Sequence, residues 1–213
     1  MIFKNNSLFL ILPCLIFFSN VHADLVKPII EGNPEAEISV IMYDKLFECG
    51  GTEATFFQDS CDFFIQNIYP QIKNEFIDPG IISFEIRPHM LFDPSDLHVA
   101  RITHCSNDGK SDIYHLLRKY GNEWRDSYRV LREMDRKLKG ILSNLLSNQQ
   151  YDSCSNDKKL RNHIENSFKE GSEKYILDIN PTIIINGEKF SNDNHFWYGY
   201  NFDEIKNKIN SLR

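Results

Sequence analysis

What this 213-residue chain lacks narrows it first. It has no G-x-S-x-G, no P-loop and no glycine-rich dinucleotide fingerprint, so serine hydrolysis, phosphate cradling and nicotinamide binding have no local signature. No repeat or low-complexity stretch is present. Lysine and arginine number 24 against 30 aspartates and glutamates, a net charge of −6, and neither sign clusters. That leaves no electrostatic footprint for nucleic acid. After residue 23 no apolar run approaches a membrane span. No C-x-x-C and no H-x-x-x-H pair marks a zinc site, so neither a metal nor a cofactor is expected.

The first 23 residues differ from the rest. Lys4 gives a positive start, Leu8 to Phe18 is an apolar run broken only by Pro13, and Val21-His22-Ala23 puts small residues before Asp24. This is signal-peptide grammar, so residues 1–23 are expected to be cleaved, or else to remain as an N-terminal anchor. Either way the chain is expected to be exported to an oxidising, periplasmic-type compartment. Cleavage leaves about 190 residues, enough for one sizeable core. It removes Lys4, taking −6 to −7, and Cys14. Four cysteines stay: Cys49, Cys61, Cys105 and Cys154. An even number in an exported protein suggests disulfides, and four cysteines allow three pairings.

The pattern of elements predicts an α/β fold. Ile38 to Tyr43 reads as a buried strand and Ile81 to Ile86 as a second, closed by Pro88. Between them Cys61, Phe64, Ile65, Ile68, Ile72 and Phe76 recur at helical spacing, predicting a helix from Ser60 to Ile77 kinked at Pro70. Residues 38–86 thus form a βαβ unit. From about 95 to 175 the period is helical, with stretches at 96–105, 111–120, 126–147 and 157–175. Asn180 to Phe190 then reads as strand, Asn186-Gly187 turn, strand. Residues 202–212 close with an amphipathic helix. The order is βαβ, four helices, ββα.

The run Cys61-Asp62-Phe63-Phe64 through Tyr69-Pro70-Gln71-Ile72-Lys73, followed by Gly80 to Pro88, resembles the exported DsbA-like thiol-disulfide oxidoreductases. Gly32-Asn33-Pro34-Glu35-Ala36 is similar to that family's entry to its first core strand. The resemblance implies a thioredoxin-like fold with a helical insertion between the βαβ and ββα halves, over residues 24–213. It makes Asn180-Pro181-Thr182 the cis-proline loop, with Pro181 guiding substrate and Asn180 and Thr182 contacting it. Cys105 resembles a helix-borne cysteine of one subgroup and Cys154 its disulfide partner. That bridge would close about 50 residues and contribute about 4 kcal/mol. The implied partners are folding client proteins and a soluble or membrane redox partner.

The active-site motif itself departs from the family. Aligned on the helix, Cys61 takes the place of the resolving cysteine, and Gln58 stands where the nucleophile belongs. Aligned on the strand ending at Tyr43, Cys49 falls within one residue of the nucleophile's place. Eleven residues, including Gly50-Gly51, separate the two cysteines. Three readings stay open. Cys49 and Cys61 form a redox-active pair across an inserted loop, or a structural disulfide closing about 13 residues and worth about 3 kcal/mol, or free thiols at a degenerate site. In the first, Cys49 attacks and Cys61 resolves. A helix N-terminus can help Cys61 ionise, but Asp59 and Asp62 oppose it, and Glu48 and Glu53 flank Cys49. The aromatic clusters Phe56-Phe57 and Phe196-Trp197-Tyr198 fit the core, or a face for unfolded clients. The functional alternative to an oxidoreductase is a redox-inactive binding or chaperone-like module with structural disulfides only.

Overall fold

The computed structural model of the chain describes residues 26–46, 63–89, 94–127, 130–191 and 199–213. The leader 1–23, Cys49, Cys61 and both aromatic clusters lie outside them.

Among the described residues five strands form one mixed sheet in the order β1-β3-β2-β4-β5. They are β1 (Ile29–Gly32), β2 (Ile38–Asp44), β3 (Ile82–Pro88), β4 (Thr182–Ile185) and β5 (Glu188–Lys189). β2 and β3 run parallel, and the other neighbours are antiparallel. β2 alternates between two faces, as a strand must. Val40 and Met42 enter the main core, while Ile41 and Tyr43 pack on the opposite side with Tyr175 and Ile184. The lead-in to the βαβ unit is itself an edge strand. Its open side is covered by the turn at 107–109, where Gly109 accepts from Ile30 at 3.2 Å and Asn107 from Lys27 at 2.7 Å.

The helix α1 (64–77) answers Pro70 by loosening its turns on both sides. A π-turn at Phe64–Ile68 precedes a single α-turn at Tyr69–Ile72, and a second π-turn follows at Lys73–Ile77. Proline supplies no N–H and crowds the preceding carbonyl, and wider turns accommodate both defects.

The insertion between the halves contains more helices than the periodicity indicates. They are α2 (Pro94–Thr103), α3 (Asp112–Lys119), α4 (Gly121–Trp124), α5 (Leu131–Ile141), α6 (Asn148–Asn156) and α7 (Lys158–Tyr175), with a 3-10 turn at Arg125–Ser127. The expected helix over 126–147 corresponds only to α5. The next one, α6, starts at a capping box in which Ser147 Oγ accepts from Gln150 N and the Gln150 side chain accepts from Ser147 N. The S-x-x-Q spacing that carries this signal is present in the sequence. Main-core residues run without a break from the sheet through Leu117, Trp124, Met134, Leu138 and Tyr151 of the insertion. Insertion and sheet therefore share one core.

On the other face α7 lies close against β2. A Cβ at Gly171 would meet the Tyr43 ring at 2.5 Å, so only glycine permits the approach. The last helix is α8 (Phe202–Ser211). The β4–β5 turn has Asn186 at φ 47° and Gly187 at φ 79°, the I′ geometry that the pair predicts. Asn186 also binds β2: its side-chain oxygen accepts from Ser39 N at 2.7 Å, and its own N–H donates to Ser39 O at 2.8 Å. No helix among the described residues is long and apolar enough to cross a membrane.

Candidate functional site

The C-terminal end of β2 and the loop before β4 meet at one edge of the molecule. The Asn180-Pro181 peptide bond is cis. Asn180 turns its side chain to β2, where its oxygen accepts from Lys45 N at 2.9 Å and its amide donates to Lys45 O at 3.3 Å. A side-chain amide here reproduces the two-way pairing of a backbone rung. Thr182 is fully buried, and its hydroxyl donates to Ile179 O at 2.6 Å. Main chain and side chain of Thr182 are thus both closed off from solvent.

Beneath this edge lies a set of buried charges that the sequence pattern did not single out. Asp44 pairs with Arg118 of α3 and accepts from Tyr114 Oη at 2.7 Å, with the Asp44 side chain 0% and Arg118 6% exposed. Burial alone would lower the pKa of Arg118, but Asp44 and Tyr114 outweigh it and hold the guanidinium firmly charged. Lys45 lies 3.6 Å from Asp96 of α2, and both are buried. Arg125 Nε donates to Leu46 O at 2.9 Å. The described side chains here thus supply two carboxylates and three cations. Asp44 and Asp96, with His89, Thr103, His104 and Tyr114, border a cavity of about 20 Å³, room for one water. In the sequence, Asp44-Lys45 after an apolar strand is the one visible hint. Tyr114 and Arg118, four apart on an amphipathic helix, read equally well as a solvated face.

The loop leading to Asn180 contains a strained residue. Tyr175 and Leu177 both pack on the Tyr43–Ile184 cluster, which turns Ile176 outward at φ 53° with 70% exposure. The left-handed region costs a side chain with a Cβ about 1–2 kcal/mol, and helix ends of this kind usually take glycine or asparagine. The conformation is held by Lys189 Nζ, which donates to Ile176 O at 2.8 Å and pairs with Asp178, and by Asp178 N, which reaches the same carbonyl at 3.0 Å.

Cys105 and Cys154 form a disulfide with Cα atoms 5.4 Å apart. Cys105 sits two residues past the end of α2, and Cys154 lies in the last turn of α6. Both sulfurs are therefore at negative helix ends, which disfavour a thiolate. Next to Cys105, His104 is 5% exposed. Its Nδ1 lies 3.1 Å from Ala100 O and its ring 5.6 Å from that of His163. Burial pushes its pKa down to about 4, against the pull of the Ala100 carbonyl and with a further push from His163. Across the sheet, Glu31 accepts from Ser111 at 2.5 Å, is bound by Tyr69, and lies 2.6 Å from His115 Nε2. Burial opposes its ionisation, but these hydrogen bonds prevail and hold the carboxyl at about 2. Among the described residues no group of three or more His, Cys, Asp or Glu could hold a metal ion.

A family model described as Thioredoxin matches residues 24–197. No protein with a curated description matches the chain. Among solved structures, α-DsbA1 of Wolbachia pipientis is 24% identical with a TM-score of 0.64, covering 88% of this chain and 92% of its own. The protein-disulfide isomerase of Novosphingobium aromaticivorans is 16% identical with a TM-score of 0.63, covering 89% and 99%. DsbA of Chlamydia trachomatis is 18% identical with a TM-score of 0.60, covering 86% and 89%. All three share with this chain the sheet with a helical insertion.

Proposed function

This chain belongs to the thioredoxin family, and on that premise we propose that it is an exported DsbA-like thiol-disulfide oxidoreductase that exchanges disulfides with folding client proteins through Cys49 and Cys61. The observation that carries the reading is the clamp between Asn180 and Lys45. It holds the proline loop against the end of β2, and Lys45 stands four residues before Cys49. A client chain lying along Asn180-Pro181 would then present its cysteine where the segment bearing Cys49 begins. Likeness in fold to proteins named DsbA and protein-disulfide isomerase supports the class of chemistry. Export rests on residues 1–23, and the family match starts at the first residue after the expected cleavage.

The exchange balances as follows. The Cys49 thiolate attacks a client disulfide, forming a mixed disulfide and releasing one client thiolate. Cys61 then attacks the Cys49 sulfur and releases the second. The pair loses two electrons and the client gains them; run in reverse, the same steps oxidise the client. The membrane or soluble partner resets the pair.

The twelve-residue step from Cys49 to Cys61 favours a second reading, a redox-inactive binding module on the same fold. The reduction potential of the Cys49–Cys61 pair separates the two. A value above about −300 mV, with exchange lost in Cys49→Ser and in Cys61→Ser singly, supports the oxidoreductase. A value well below about −300 mV marks a structural bond and sinks it.

A further inference from the structure

Resting on that functional reading, we infer that Ile176 is a specificity-determining contact for the client chain, selecting clients with a bulky apolar residue a few positions from the reacting cysteine. The fold explains the outward turn of residue 176, because Tyr175 and Leu177 are both drawn onto the Tyr43–Ile184 cluster. It does not explain isoleucine. A β-branched side chain is among the poorest choices for φ 53°, and with 70% of its surface exposed it gains almost nothing from burial. Glycine or asparagine would satisfy the same backbone with less strain. Strain kept at an exposed position beside a site is a pointer to function.

The position suits the role. Ile176 lies four residues before Asn180, so the two are at most about 14 Å apart, the span of about four residues of extended client chain. The loop between them is braced rather than loose. Lys189 holds the Ile176 carbonyl and Asp178, and Thr182 holds the Ile179 carbonyl. An apolar side chain on a braced loop is a preformed contact, ordered before the client arrives.

The test uses the full mature chain, the variants Ile176→Asn and Ile176→Gly, and a short unstructured peptide whose single cysteine is flanked by leucine and valine. A serine version of the peptide reads binding alone. Glutathione, too small to reach residue 176, reads exchange alone. We expect Tm to rise by about 2–4 °C in both variants, affinity for the serine peptide to fall about 10- to 30-fold, and the glutathione rate to stay unchanged. A fall in Tm in both variants makes Ile176 a fold residue and overturns the inference, as does unchanged peptide affinity. Absence of glutathione exchange in the wild-type chain overturns the oxidoreductase reading instead, while the serine-peptide affinities still decide the role of Ile176.

Discussion

Mild acid should loosen this fold through one histidine. His104 is held neutral by burial, with its pKa lowered from 6.5 to about 4. In the unfolded chain it protonates near its ordinary value, so between those two pH values the unfolded state binds a proton that the folded state refuses. Stability is complete above about pH 6.5, falls as pH drops, and levels off below about 4. Between pH 7 and pH 5 the linkage relation gives a loss of about 2 kcal/mol, part of a total of about 3 kcal/mol for the whole shift. For a chain of this length that is a drop in Tm of about 4–8 °C. The assay is thermal or urea unfolding at several pH values, with the disulfide intact, in the wild type and in His104→Leu. The variant loses hydrogen bonding and is less stable overall, so the diagnostic is the slope with pH. It should flatten by most of the 2 kcal/mol. His163, whose pKa burial also lowers, supplies part of what remains. Glu31 contributes in a separate window, from 4.5 down to about 2, as its hydrogen-bonded carboxylate is protonated. The same slope in His104→Leu as in the wild type would refute the assignment.

Arg118→Met should cost about 3–5 kcal/mol in urea unfolding, because it leaves Asp44 buried without its cation. The double variant Asp44→Asn with Arg118→Met should recover much of that loss. Gly171→Ala should destabilise by about 1–3 kcal/mol although alanine is the better helix former, since the added methyl meets the Tyr43 ring. Replacing Gly171 with no loss of Tm would mean that α7 can lift away from β2 freely. The Cys105–Cys154 bond should resist glutathione, with a potential below about −300 mV, as its two helix-end positions disfavour the thiolates. Removing it in Cys105→Ala with Cys154→Ala should cost about 4 kcal/mol, measured against the intact chain.

The sheet was legible because its signals are local. Ile38–Tyr43, Ile81–Ile86 and the Asn186-Gly187 turn each state their conformation within a few residues, and all three form as read. The insertion was less legible. A run of helical periodicity does not mark where one helix stops and the next begins, and the break between α5 and α6 rests on a single capping box at Ser147. The site divides the same way. Pro181 and Asn180 stand out only through the resemblance to a known family, whereas Asp44, Arg118 and Arg125 are brought together from three separate elements. A buried arginine and a surface arginine are the same letter, and only tertiary contacts tell them apart. Ile176 was equally hidden, because an exposed isoleucine at positive φ looks in sequence like one more core residue.

The two asparagines that bracket β4 have a mechanical consequence. Asn180 grips Lys45 at one end of β2 and Asn186 grips Ser39 at the other, so a strand of four residues is located against its neighbour by jaws set just beyond its two ends. Register between β2 and β4 cannot slip by two residues without opening both jaws at once. The segment that leaves β2 and the loop that enters β4 are thereby gauged from a single rigid bar. A shift of the outer hairpin therefore carries Lys45 and Asn180 together.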